Sequence, residues 1–593
     1  MTDDPTAGTL PALLAQQARR LGPAPAIIDP DRRSLSYTRL HEEVERLGAD
    51  LADAGFGTAS RIAVALPTGP DAALVMLATM ARAVCAPLDP ALELTACRSV
   101  LESMRADALL ALQGEEDAPA VVAARMLELR ILRLQPATDE GAALALRTES
   151  ASSPAVVQPP SANDLALLMH TSGTTARPKI VPLTHGQLLS RARLNPLLST
   201  DRGICAAATF TSSAIESGLL ATLAAGSSVV LPRTFDPERI IDYVVHLRPT
   251  YLWASPALYA ALLEALADRG PAATGSLRFL RSGSSALPAV LQDKLERKFG
   301  VPVVQGYGLT ETGVIARNPL PPGERRAGSA GKPLGTEVRV TAPDGTLLAP
   351  GEAGEIVVQG RGVMSGYESP EANRRAFRDG WFRTGDVGYF DADGFLFLTG
   401  RVDELINRGG RQVSPAEVDA ALVGHAAVLE AASFAVPHPT LGQDLAAAVV
   451  PRASETVSAQ ELREFAFAHL APFKVPTTIV LVDALPKNAL GKVRRNELAD
   501  TLRESLRASF LPPRDADEEL VAGLFAEVLR LERVGALDNF FELGGDSLSG
   551  TQVVVRVNSA RGVDLRITSL FELPTVAAFA GAVRDAGRPA TAP

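Results

Sequence analysis

From about residue 10 to residue 400 the sequence alternates short apolar runs with longer stretches of helical pattern. That alternation is the mark of layered α/β architecture. Residues 61–67 (RIAVALP) predict a buried strand, with a helix following over 71–83. The pattern returns at residues 165–170, 228–232, 277–280 and 302–305, each near a helical stretch. Between residues 335 and 360 the rhythm changes. Short strands around 338–340 and 355–358 flank the turn clusters PDG and PGEAG, which predicts a β-rich subregion.

At 593 residues the chain is too long for one core, and two to four domains are expected. GRVD (400–403) follows the strand-like FLFLT and opens a second, smaller α/β unit running to about residue 505. Residues 508–518 (ASFLPPRDADE), with paired prolines and mixed charge, read as a linker. The remainder, 519–586, shows three amphipathic helices and no convincing strand, as in an all-α bundle.

Charge and composition narrow the partners. A net charge of −10 offers no basic surplus to displace phosphate counterions, so no nucleic-acid partner is expected. No apolar run approaches the ~20 residues needed to span a bilayer, so no membrane is expected either. The N-terminus is acidic and then amphipathic, unlike a secretory signal. Cys85, Cys97 and Cys205 are odd in number and lack metal-like spacing, which suits a reducing cytoplasm. Of 58 cationic side chains only seven are lysine. Where lysine persists, at Lys179 and Lys492 above all, a compact ammonium on a flexible stem suits the position better than a planar fork.

Six segments carry chemistry. HTSGTTARPK (170–179) clusters hydroxyls, a glycine and a lysine after a strand. Backbone N–H groups, hydroxyls and a mobile cation can cradle phosphate oxygens. It is not a Walker loop, because GxxxxGK[ST] is absent. QGYGLTETG (305–313) is again a strand followed by a glycine-rich turn and contains the carboxylate Glu311, although TET alone is more often a helix cap. GWFRTGD (380–386) ends in Asp386, which in isolation reads as a turn residue after glycine. GRVD (400–403), PKNALGK (486–492) and DNFFELGGDSL (538–548) complete the series.

Together these segments closely resemble the motifs of the adenylate-forming superfamily, which includes acyl-CoA ligases, nonribosomal peptide synthetase adenylation domains and luciferases. The resemblance implies ATP and Mg²⁺ as cofactors, and it assigns roles. Thr171, Ser172, Gly173, Thr174, Thr175 and Lys179 would hold phosphate. Tyr307 would stack near adenine, Thr310 would contact the α-phosphate, and Glu311 would ligate magnesium. Asp386 and Arg401 would hold the nucleotide, Asp403 would be the hinge, and Lys492 would enter for adenylation. Ala176 and Ile180 replace two usual glycines, a change expected to stiffen the phosphate loop. Residues 538–548 match the attachment motif of carrier proteins, which implies 4'-phosphopantetheine on Ser547 and a phosphopantetheinyl transferase as partner. The implied domains are a large adenylation subdomain (1–402), a small mobile subdomain (403–507), the linker (508–518) and a carrier (519–593).

The acid itself is read less directly. Peptide synthetase adenylation domains place an aspartate after phenylalanine to hold an α-ammonium group. Here FTSSAIE (210–216) has Thr211 there. A hydroxyl cannot neutralise a buried ammonium ion, so an ordinary α-amino acid is not expected. Glu216 stays open as a reader of an amine placed elsewhere, as in a β-amino acid. Segments such as INRGGRQVSPAEVDAAL (406–422) look more like small-acid CoA ligases, including the oxalate type. The expected pocket comprises Phe210, Thr211, Ser213, Gly283, Ser284, Gly306 and Val314. The leading expectation is a ligase that adenylates a small carboxylic acid and loads its own carrier, for a downstream acyl-accepting enzyme in trans. A CoA ligase with a secondary carrier tail and a degenerate carrier scaffold are the alternatives.

Overall fold

A computed structural model describes residues 8–587 apart from 33, 137–143, 149–154, 156–157, 172–177, 267–274, 284, 286, 439–440, 453–454, 488–492, 504, 506–511, 530, 532, 537, 542, 544 and 546. The chain divides into two compact units, residues 1–398 and 399–593.

The first unit is built on two large sheets. In the nine-stranded sheet, Pro25–Ile28, Ser228–Val230, Arg202–Ala206, Tyr251–Ala254, Phe279–Ser282 and Val303–Leu309 run parallel, and the antiparallel strands Gly313–Arg317 and Lys332–Pro333 extend one edge. In the seven-stranded sheet, Arg61–Val64, Val84–Pro87, Ala108–Leu112, Arg130–Pro136 and Leu165–Thr171 are parallel, and Lys179–Thr184 folds back on Leu165–Thr171. The helix Pro70–Arg82 starts on a proline, where no backbone donor is missed, with Asp71 in its first turn. Eleven of its thirteen residues are buried. It is apolar nearly all round because one core joins it to residues of both sheets, among them Ile62, Leu167, Val229 and Trp253. The predicted β-rich subregion is a third sheet built on Glu337–Thr341, Gly354–Gln359 and Trp381–Phe390, antiparallel throughout.

The second unit opens with a small sheet of Ile406–Arg408, Arg411–Val413, Val428–His438, Gly442–Pro451 and Thr478–Leu481, covered by Pro415–Val423 and Ala459–His469. Four helices then follow, Ala516–Leu529, Ser547–Arg561, Ile567–Glu572 and Val576–Ala586, around Phe525, Phe540, Val557, Leu570 and Phe579.

Two sequence expectations shift here. The first of these helices begins at Ala516, inside the stretch read as linker, because Glu518 is buried and bonds Arg514. Three helices were expected, and the fourth, Ile567–Glu572, is a six-residue turn and a half, too short to show a period.

Candidate functional site

Two hairpins and one long strand carry the site in the first unit. The strands Leu165–Thr171 and Lys179–Thr184 pair antiparallel, so Thr171 and Lys179, which flank the phosphate segment, sit across from one another. Ser172, Gly173, Thr174 and Thr175 lie outside the described residues. Ile180 belongs to the returning strand, buried opposite His170. Its side chain fills core rather than stiffening the loop, which corrects the expectation for that position. Ala176 lies outside the described residues.

Thr310, Glu311 and Thr312 form the turn between Val303–Leu309 and Gly313–Arg317, and not a helix cap. Thr312 closes the turn: its hydroxyl accepts from Leu309 N at 3.2 Å and donates to Gly313 O at 2.9 Å. Gly308 must be glycine, because a Cβ there would lie 2.1 Å from Gly313 O. Glu311 is buried, and its Oε1 accepts the Tyr367 hydroxyl at 2.6 Å. Lys179 Nζ stands 5.4 Å from the centre of that tyrosine ring, which is cation–π range. Tyr307 donates to Asp386 Oδ2 at 2.6 Å, and Asp386 N donates to the Thr384 hydroxyl at 3.0 Å. The Tyr307 ring and the Asp386 carboxylate are thereby joined in one bonded pair.

Beneath the turn lies Arg191, a buried residue that the sequence reading missed. It donates to Thr310 O at 3.1 Å, Glu311 O at 2.9 Å, Gly362 O at 2.7 Å and the Glu216 carboxylate at 2.6 Å. Arg191 lies on the helix His185–Arg193 among buried Leu188, Leu189 and Ala192. A cation on an apolar face requires a partner, and that was the available signal. Glu216 is therefore paired with Arg191, which weighs against the β-amino acid alternative that rested on it. Burial pushes the Glu216 carboxyl up from its ordinary value, and Arg191 opposes the shift.

The residues expected in the acyl pocket lie on three parts of the first unit. Phe210, Thr211 and Ser213 lead into a π-helical segment, Ala214–Leu220, a form frequent at functional sites. The Thr211 hydroxyl donates to Ala208 O at 2.8 Å and accepts from Ala214 N, so it serves the turn as much as any ligand. Ser212 and Thr310 hydroxyls meet at 3.1 Å, tying this segment to the nucleotide turn. Gly283 follows the strand Phe279–Ser282, Gly306 lies within Val303–Leu309, and Val314 stands opposite Gly308. Ser284 lies outside the described residues.

In the second unit Arg401 Nε bonds Asp403 Oδ1 at 3.2 Å, with Asp403 exposed. Lys492 lies outside the described residues. Ser547 is the first residue of Ser547–Arg561 and is exposed. At Gly545 a Cβ would fall 2.3 Å from Phe540 Cε1, so glycine fits against that ring where a larger residue would not.

Among the described residues no three His, Cys, Asp or Glu side chains gather as a metal cage. A single buried carboxylate at Glu311 fits magnesium, which is usually held by one or two carboxylates together with substrate phosphates.

Comparison with known proteins agrees with this arrangement. The AMP-binding enzyme family matches residues 14–368, the AMP-binding enzyme C-terminal domain residues 417–492, and the phosphopantetheine attachment site residues 519–583. The chain is 36% identical to an oxalate–CoA ligase of Arabidopsis thaliana, over 84% of this chain and 99% of that protein. It is 36% identical to a sulfoacetate–CoA ligase of Cupriavidus necator, over 83% and 97% respectively. Among solved structures, ATP-bound MatB from Rhodopseudomonas palustris superposes with a TM-score of 0.75 at 29% identity, covering 84% of this chain and 99% of that one.

Proposed function

The chain belongs to the AMP-binding enzyme family, here joined to a phosphopantetheine attachment domain, and on that premise we propose that it adenylates a small carboxylic acid and loads it onto its own carrier. The carboxylate attacks the α-phosphate of ATP, giving acyl-adenylate and pyrophosphate. The carrier thiol then attacks the acyl carbon, forming a thioester and releasing AMP and a proton. The observation that carries this reading is the match, in one chain, of the AMP-binding enzyme family and of a phosphopantetheine attachment site, with Ser547 exposed at a helix start.

Residue roles follow from chemistry. Thr310, Thr171 and Lys179 would hold phosphate oxygens. Glu311 would hold Mg²⁺, which supplies charge neutralisation when bound. Tyr307 and Asp386 would take adenine and ribose, with Arg401 contributing to the nucleotide. Lys492 would stabilise developing charge, a task for a movable cation. Asp403 would serve as hinge between the half-reactions, dividing 1–402 from 403–507.

An activated acyl group on a carrier needs an acceptor, so a further enzyme in trans would consume it, as in a stand-alone loading module of secondary-metabolite assembly. Cys85, Cys97 and Cys205 are all free and buried, which suits a cytoplasmic setting. No described helix is long and apolar enough to cross a membrane.

A second reading, transfer to free coenzyme A, is favoured by the names of the relatives. One experiment separates the two. The protein is first converted to its phosphopantetheine form, then given ATP and an acid panel with and without coenzyme A. Acyl mass on the carrier, formed without coenzyme A, supports self-loading. Acyl-CoA alone would replace it with the CoA-ligase reading.

A further inference from the structure

Arg281 is a buried cation on the strand Phe279–Ser282, two residues before Gly283, a residue expected in the acyl pocket. It is 6% exposed, and its Nη1 donates to Ser217 O at 3.3 Å, on the π-helical segment. No carboxylate pairs with it among the described residues. Glu216, the one acidic residue of that segment, is already bound to Arg191.

Strand register defines the face on which Arg281 lies. Arg281 is opposite Trp253 in one neighbouring strand and Val304 in the other, so these three share a face. Two residues further on, the same face carries Gly283 and Gly306. Trp253 Nε1 lies 3.3 Å from where a Cβ on Gly283 would stand. At Gly306 a Cβ would meet nothing closer than 3.5 Å, so the fold does not demand glycine there. Its missing side chain leaves room.

Gly306 is paired in turn with Arg317, a second buried guanidinium. Arg317 donates to Asn195 Oδ1 at 2.9 Å and Leu194 O at 2.6 Å, and has no carboxylate among the described residues either. Burial, and then repulsion from Arg281, push its pKa down to about 9. Burial likewise lowers that of Arg281, opposed only by Tyr251, Cys205 and Tyr259. Burial raises all three of these groups, Tyr251 and Cys205 to about 12, so they are neutral near pH 7 and neutralise nothing. Two buried cations beside two bare glycines are costly unless an anion joins them.

We propose that Arg281 is a specificity-determining residue that reads a second anionic group, a carboxylate or sulfonate, on the acid being adenylated, with Arg317 reinforcing the positive potential. The assignment rests on the ligase reading above and names its substrate class as short diacids and their sulfonate analogues.

ATP–pyrophosphate exchange by the full-length protein tests it, with malonate against propionate, succinate against butyrate, and sulfoacetate alongside. The anionic acids should exceed their chain-matched monoacids at least tenfold in kcat/KM. Arg281→Met should lower the malonate-to-propionate ratio at least tenfold, and Arg281→Lys should restore part of it. Thermal unfolding and ATP binding check that the variants fold; where Arg281→Met does not, the ratio in Arg281→Lys, raised in KM for malonate, decides. Equal or better exchange with the monoacids, or an unchanged ratio in a folded variant, overturns the proposal while leaving the ligase intact. Absence of exchange with every acid, proteinogenic amino acids included, overturns the ligase reading and this proposal with it.

Discussion

Arg191 and Glu216 meet at 2.6 Å with side chains only 2% and 6% exposed, and the same guanidinium holds the carbonyls of Thr310 and Glu311. A charge pair whose arginine lies outside the motifs singled out in the sequence thus fixes the turn at residues 310–312. It couples the stability of the first unit to the geometry of its site.

Removing one partner leaves the other charged and buried, which typically costs about 3–5 kcal/mol. Arg191→Met should destabilise the protein on that scale and reduce pyrophosphate exchange at least tenfold. Glu216→Gln keeps an oxygen for Arg191 and should cost less. The double variant Arg191→Met/Glu216→Gln should be more stable than Arg191→Met alone, since no buried carboxylate is stranded. Urea midpoints of the four proteins give the coupling directly. A double variant no more stable than Arg191→Met would show that the carbonyl bonds, and not the charge pair, dominate.

The proposed loading depends on one hydroxyl, that of Ser547. Treatment with coenzyme A and a broad-specificity phosphopantetheinyl transferase should add one arm to the protein, and Ser547→Ala should add none. Intact-mass measurement decides between these outcomes. Modification persisting in Ser547→Ala would place the attachment elsewhere and remove the carrier assignment.

The half-reactions should separate genetically. Lys492→Ala should cripple adenylate formation while transfer from supplied acyl-adenylate largely survives. Asp403→Pro should do the reverse, because proline fixes φ and removes a backbone donor at the proposed pivot. Exchange and single-turnover transfer assays report the two steps independently. Equal loss of both steps in both variants would count against an alternating hinge.

Strands defined by continuous apolar runs were legible in the sequence: residues 61–67 and 165–170 overlap Arg61–Val64 and Leu165–Thr171 closely. Where polar residues enter a strand for the site's sake, the reading slipped. Residues 277–280 were expected where Phe279–Ser282 is found, because Arg281 and Ser282 break the apolar run. Residues 302–305 were expected where the strand runs on through Tyr307 to Leu309, because the glycines read as a turn. Those glycines permit close approach of the returning strand, a tertiary cause that local pattern does not record. The motif residues Tyr307, Thr310, Glu311 and Asp386 were found through resemblance. Arg191, Tyr367 and Arg281 were not singled out, since their hydrogen-bond partners Glu216, Glu311 and Ser217 lie far away in the chain.

Acid should weaken the first unit through His185. This residue begins the helix His185–Arg193, is 1% exposed, and accepts Leu10 N on its Nδ1 at 3.3 Å. Burial lowers its pKa from 6.5 to about 4, with Asp164 opposing the shift. The folded state therefore binds the proton less readily than the unfolded chain does. The stabilisation is fully present above about pH 6.5 and is lost as pH falls toward 4. Between pH 7 and pH 5 the loss from this one group is about 2 kcal/mol. His185→Asn retains a short acceptor for Leu10 N without a titrating ring. It should be less stable than the original at pH 7, through imperfect packing, yet lose less stability on going to pH 5. Urea midpoints at the two pH values measure both slopes. Parallel losses in the two proteins would mean that His185 is not the group that titrates.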